Sequence, residues 1–183
     1  MQLRAAASRA GFDLAAVSAF RDFGRQLNIW NAKYDMPAAD GAALGPDQRI
    51  DQILQWSALP GASRHHWGTD LDLIDRAQLT PGYRVQLVSE EYSTGGPFGA
   101  AALWLEANAA RFGFFRPYRG IRSGVQAEPW HFSFAPVAEG ARRNFSVPLL
   151  KAALGEAGLS GKQAVLARLE QIVARYVNSI DLP

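Results

Sequence analysis

Three histidines, two closely spaced aspartates and a glutamate stand out in this chain because they occupy two short segments. His65 and His66 lie in Ser63-Arg64-His65-His66-Trp67-Gly68-Thr69-Asp70-Leu71-Asp72, and His131 lies in Glu128-Pro129-Trp130-His131; there is no other histidine in the 183 residues. There is also no cysteine. Disulfides, thiolate metal sites, iron–sulfur clusters and cysteine nucleophiles are therefore excluded. A zinc ion here must use imidazole and carboxylate, and a catalytic zinc needs three protein ligands plus an open position. His65, Asp72 and His131 supply two nitrogens and one oxygen. Glu128, three residues before His131, remains as a carboxylate able to take a proton. The His-Glu-x-x-His pattern of the zincins is absent.

The same residues have ordinary structural uses. His65-His66 beside Trp67 can be a turn pair, Asp72 a turn or cap carboxylate, and His131 a half-buried ring satisfied by a backbone carbonyl. Spacing alone does not choose between these and a metal site. Trp67 and Trp130 flank the two histidines, either as cleft walls or as core aromatics. Tyr92 with the turn-rich 93–99 reads first as a surface turn, with groove lining as the alternative.

The elements that must hold these residues follow from pattern. Residues 2–10 read as a short helix ended by Gly11, and 12–17 as a short strand. Phe20 to Tyr34 places Phe20, Phe23, Leu27 and Trp30 at helical spacing. Residues 35–47 form a Gly/Pro/Asp loop, from which Asp47 caps a helix running to Trp56. Asp70-Leu71-Asp72-Leu73 alternates as a strand does, with Asp70 and Asp72 on one face. Residues 83–89 are another strand candidate, 99–112 a helix ended by Gly113. After Pro129, a strand carries His131 and Ser133 on one face. Residues 147–157 and 160–178 read as two helices, the second capped by Ser160. Its apolar stripe, Leu166, Leu169, Ile172, Val173 and Tyr176, either packs on the domain or makes a dimer.

Length and apolar content (48%) fit one globular domain with a real core. A net charge of +2, with the arginines scattered, argues against a nucleic-acid partner. No 18-residue apolar run exists, so no transmembrane helix is expected. The N-terminal MQLRAAASRAGF lacks the apolar stretch of a signal peptide, so the protein is either intracellular or has had a leader removed.

Taken together, the segments resemble a known family. Residues 63–72 are similar to the Ser-x-His-x-x-Gly-x-x-x-Asp signature of the D-alanyl-D-alanine carboxypeptidase and dipeptidase family (VanY/VanX type). Glu128-Pro129-Trp130-His131 resembles its Glu-x-x-His element. Ser18-Ala19-Phe20-Arg21 resembles the Ser-Gly-Tyr-Arg element that carries its active-site arginine. Residues 104–114 resemble its helix ending in Gly-Phe. The likeness spans about residues 3–135, in order.

The resemblance implies a small α+β zinc peptidase with a central antiparallel sheet flanked by helices. Residues 1–146 would form the peptidase domain, and 147–183 a helical extension packed on it. It implies one Zn²⁺ per chain, held by His65, Asp72 and His131. Glu128 is implied as the base and Arg21 as the group that stabilises the transition state, although Arg21 alone also reads as a solvated helix-surface residue. Ser63 is implied to support the ligands. The implied reaction is hydrolysis of peptidoglycan stem peptides, foremost as a D-alanyl-D-alanine carboxypeptidase. An endopeptidase or L,D-carboxypeptidase on the same scaffold is the alternative, and a non-catalytic wall-binding module is the non-enzymatic one. A carboxypeptidase needs a cation for the terminal carboxylate, for which Arg116, Arg119 and Arg122 are candidates. Such a substrate places the protein in the periplasm or facing the wall, or in the cytoplasm until release if it is phage-derived. A monomer or weak dimer is expected. One departure stands out: the family commonly has alanine where this chain has Asp70. That carboxylate can bond a ligand histidine, pair with an arginine or face the cleft. His66 is not expected to bind metal, because in an extended chain its side chain points away from that of His65.

Overall fold

The computed structural model describes residues 2–37, 44–120 and 124–183. Its centre is a four-stranded antiparallel sheet in the order β1-β2-β4-β3. The strands are β1 (Leu14–Ser18), β2 (Asp70–Asp75), β3 (Phe114–Phe115) and β4 (His131–Phe134). The helices are α1 (Gln2–Arg9), α2 (Phe23–Asp35), α3 (Pro46–Leu54), α4 (Gly99–Asn108), α5 (Ala135–Arg143), α6 (Val147–Glu156), α7 (Lys162–Ala167) and α8 (Leu169–Ile172). This is the expected α+β arrangement with a C-terminal helical extension.

Period-two alternation divides the sheet into an apolar and a polar side. Leu14, Leu73 and Phe132 pack with Leu3 and Ala7 of α1 and Ala101 and Leu105 of α4. Asp70 and Asp72 of β2, and His131 and Ser133 of β4, share the other side. The β2–β4 register pairs Asp70 with Ser133 and Asp72 with His131. A shift in the β1 register between Ala16 and Ser18 brings Ser18 opposite Asp72. Such a bulge re-aims a side chain at a sheet edge.

Beside the polar face lies a second core of helices. Trp30 of α2 and Ile50, Ile53 and Leu54 of α3 pack with Leu150, Leu154, Val165, Leu169, Ile172, Val173 and Tyr176. The apolar stripe of the tail is thus buried within the chain. Trp30 is fully buried, and its indole N–H donates to Ser160 O at 3.0 Å. Truncating a residue so placed costs about 3–5 kcal/mol.

Several elements differ from the sequence expectations. Phe20 lies before α2 and is largely exposed, because Asp22 caps the helix by accepting from Arg25 N–H at 2.7 Å. Helix α3 is capped by Gly45 with Pro46 in its first turn, so Asp47 is already inside it. Residues 83–89 form no strand: the buried Glu91 carboxylate accepts backbone N–H groups from Gln86, Leu87 and Val88 and the Tyr83 hydroxyl. A side chain thereby takes the donors a ladder would use. Helix α5 follows β4 directly, with Pro136 in its first turn. Residues 160–178 are broken at Arg168 between α7 and α8, end in a π-helical turn at Val173–Val177, and begin from Gly161 rather than Ser160. Part of the expected 35–47 loop lies outside the described residues.

Candidate metal centre

His65 sits in a 3-10 turn, Arg64–Trp67, closed by Gly68 in the left-handed region (φ 70°), a conformation that suits glycine. From this turn the chain enters β2, which delivers Asp72; β4 delivers His131. One ligand atom from each of His65, Asp72 and His131 lies within 4.8 Å of the other two, and all three residues are buried.

Each imidazole is oriented by a partner behind it. His65 Nδ1 donates to Ala19 O at 2.7 Å, leaving Nε2 toward Asp72 Oδ2 at 3.4 Å. His131 Nε2 donates to Asp70 Oδ1 at 2.9 Å. Its Nδ1 faces Glu128 Oε2 at 2.9 Å and Asp72 Oδ1 at 3.6 Å. Burial works against a charged His131, but the hydrogen bonds with Asp70 and Glu128 outweigh it and push the ring up to about 10. Burial would also raise Asp72, yet His65 and His131 beside it hold its carboxyl below the ordinary range. Asp72 Oδ1 is buried with no hydrogen-bond partner. A buried acceptor without a donor is costly unless something positive meets it. Two ring nitrogens and an orphaned carboxylate oxygen converging on one point fit a divalent cation.

His66 is used elsewhere. Its Nδ1 donates to Arg21 O and its Nε2 accepts from Gly61 N–H at 3.0 Å. It is not among the three convergent ligand atoms: both its ring nitrogens are engaged by this pair of bonds, and it sits in the 3-10 turn, not in the extended backbone the expectation assumed.

Arg21 reaches the site from the loop after β1. Its Nη1 donates to Gln26 Oε1 at 2.7 Å and its Nη2 to Ser18 Oγ at 3.0 Å, while Nε is buried without a partner. Gln26 is fully buried and donates in turn to Ala58 O at 2.7 Å. This glutamine escaped the sequence reading. The signal was a polar residue on the otherwise apolar side of α2.

A cavity of about 620 Å³ opens onto the three ligands, Glu128 and Arg21. Ser63 and Trp130 line it. Trp130 also packs on Tyr92, at 5.5 Å between ring centroids. Trp67 does not line the cavity; its ring carries the Arg64 guanidinium at 4.6 Å. Tyr92 is a core residue whose hydroxyl donates to Leu73 O, so the wall is built by Gln86–Glu90 instead of the 93–99 turn. Ile172, Tyr176 and Val177 of the C-terminal extension line the cavity as well. Gly124 crosses that extension so closely that a Cβ would stand 2.3 Å from Arg175 O.

The cations proposed for a terminal carboxylate are placed differently from expectation. Arg116 and Arg119 bind Glu106 at 2.8 and 3.3 Å and do not line this cavity. Arg122 lies outside the described residues. Lys33 of α2 lines the cavity, and desolvation lowers its ammonium below the ordinary lysine range.

An α+β domain with a buried His-Asp-His cluster and an adjacent carboxylate defines a metallopeptidase. Residues 1–137 match the family of VanY D-alanyl-D-alanine carboxypeptidases. An uncharacterized protein of Haemophilus influenzae is 37% identical over 121 residues, 65% of this chain and 92% of that protein. The structure of VanYB in complex with D-alanine-D-alanine aligns with a TM-score of 0.56 at 23% identity, covering 90% of this chain and 76% of the other. A variant of the vancomycin-resistance D,D-pentapeptidase VanY in complex with Zn(II) aligns at 0.55, also 23% identical, covering 90% and 78%. The chain belongs to the VanY carboxypeptidase family and is a hydrolase of that family, with its His-Asp-His metal-binding triad in place. Among the described residues no helix is long and apolar enough to cross a membrane.

Proposed function

We propose that this protein is a zinc-dependent D-alanyl-D-alanine carboxypeptidase acting on peptidoglycan stem peptides in the periplasm or at the wall. The observation that carries the reading is Glu128 held beside a convergent His65–Asp72–His131 set at the cavity floor. His65 Nε2, Asp72 and His131 Nδ1 would hold the metal. Zinc, when bound, makes water acidic near neutrality and polarises the scissile carbonyl.

The chain's own residues supply the rest. The Glu128 carboxylate accepts the proton of the attacking water and returns it to the leaving amine. Arg21 keeps Nε as an unpaired donor for the carbonyl oxygen as negative charge develops there. Gln26 and Ser18 fix the guanidinium, so little reorganisation is needed. Lys33, which lines the cavity, is one cation available to a terminal carboxylate. Burial of the C-terminal stripe inside the second core favours a monomer over a dimer built on that stripe.

Mass spectrometry of muropeptides after digestion tests the reading. Loss of one terminal D-alanine from pentapeptide stems is expected. Cleavage within cross-links would make the protein an endopeptidase, and trimming of tetrapeptide stems an L,D-carboxypeptidase. No cleavage by the zinc-loaded protein would overturn the enzymatic reading.

A further inference from the structure

We propose that Asp70 is a positioning residue, fixing which nitrogen of His131 faces the metal, with Arg64 as the counter-charge that lets this carboxylate be buried. The proposal rests on the metal reading above.

Asp70 is fully buried and pairs in the sheet with Ser133, two residues along β2 and β4 from the Asp72–His131 pair. Its oxygens are saturated. Oδ1 accepts from Arg64 Nε and from His131 Nε2, both at 2.9 Å. Oδ2 accepts from Thr69 Oγ1 at 2.6 Å and from Ser133 Oγ at 3.0 Å. A carboxylate offers about four lone-pair sites, so none is left for a metal. Asp70 is therefore not a fourth ligand, although it stands two residues from one.

What remains is its action on His131. An ionised carboxylate only accepts, so the nitrogen facing the saturated Asp70 carries the proton; Nδ1, which meets the Glu128 carboxylate at 2.9 Å, is the nitrogen that would give up its proton and ligate when zinc binds. Arg64 holds Asp70 from the far side. Its Nη2 donates to Ser133 Oγ at 2.6 Å, and its guanidinium lies over the rings of Trp67 and Phe115. The geometry thus runs from aromatic faces through Arg64 and Asp70 to the imidazole, and every member is buried or half-buried. Carboxylates behind metal-bound histidines typically strengthen metal affinity 10–100-fold.

The test uses the full chain and Zn²⁺ itself. Long-range ¹H–¹⁵N spectra of zinc-loaded wild type should show His131 protonated at Nε2; protonation at Nδ1 would overturn the proposal without any variant. Zinc affinity is then compared in two double variants that both discharge position 64, Arg64→Met/Asp70→Asn and Arg64→Met/Asp70→Ala. The asparagine keeps an acceptor opposite Nε2 and the alanine does not. The alanine pair should bind zinc roughly 10–100-fold more weakly than wild type, and the asparagine pair should recover part of that loss. Equal affinity in wild type and the alanine pair sinks the positioning role while leaving the metal site standing. Wild type that binds no zinc sinks the metal reading, and this proposal with it.

Discussion

Asp72 and His131 stand directly opposite one another in the β2–β4 ladder, with Asp72 Oδ1 3.6 Å from His131 Nδ1. Opposed residues in an antiparallel pair hold their side chains close, so two of the three ligands are set by one register. The third, His65, comes from the turn just before β2. A one-residue slip of β4 would carry His131 to the apolar face.

Metal removal follows from this placement. Zinc bound only by the folded chain adds RT ln(1 + [Zn]/Kd), about 4 kcal/mol at a thousandfold excess over Kd. Chelation should therefore lower the melting temperature, and elemental analysis of dialysed protein should give about one zinc per chain. His65→Ala should bind little zinc and melt like the chelated wild type. A melting temperature unmoved by chelator would contradict the ligand set.

Glu128 is assigned a proton, not the metal. Glu128→Gln keeps size and polarity and removes the acceptor. Zinc content should stay at the wild-type value while kcat falls roughly 10²–10⁴-fold. Loss of zinc in this variant, with Asp72→Asn retaining it, would show that ligand and base have been exchanged.

Gln26 has two duties at once, on Arg21 and on Ala58 O. Gln26→Leu leaves Ala58 O without its side-chain donor and releases the guanidinium. We expect a stability loss of about 1–3 kcal/mol. Turnover should also fall, by tenfold for each ~1.4 kcal/mol of transition-state stabilisation lost. Zinc content is the control, and it should not change.

The C-terminal helices are needed by the second core. Removing residues 147–183 uncovers Trp30, Ile50 and Leu54. The truncated chain should aggregate. The milder Ile172→Ala should cost about 2–5 kcal/mol in denaturant unfolding. Sedimentation of the full chain should show a monomer. A stable, soluble truncation would mean that the extension is dispensable to the core.

Acid stability has a local contributor in Asp13. The hydrogen bond from Arg76 Nε, at 2.8 Å, is the main reason its carboxyl lies below the ordinary range, with Arg4 adding to it. A carboxyl depressed on folding stabilises above its unfolded value, and that contribution disappears as pH falls through the folded value. Arg76→Ala should therefore lower stability at neutral pH and flatten its loss in acid. The pair is exposed, so the difference should shrink in high salt.

Much of the site was legible because local periodicity is a covalent property. Alternation alone placed Asp70 with Asp72 and His131 with Ser133, whatever the strands paired with. The histidine clustering and the absence of cysteine restricted the metal chemistry before any fold was considered. What tertiary structure decided was non-local. Nothing near residue 72 says that residue 131 will lie across from it, or that Ala19 O and Asp70 will orient the two rings. Spacing alone left Arg21 as a solvated helix-surface residue and only the family resemblance gave it a role; its partners Gln26 and Ser18 came with the fold. The 83–89 segment has the alternation of a strand, but the Glu91 carboxylate takes its N–H groups, and no periodicity reports a competing acceptor. Arg116 and Arg119 looked equally available for a substrate until the fold set both against Glu106. Residue type and spacing state which chemistry is possible; the pairing of distant strands, driven by burial of their apolar faces, decides which atoms meet.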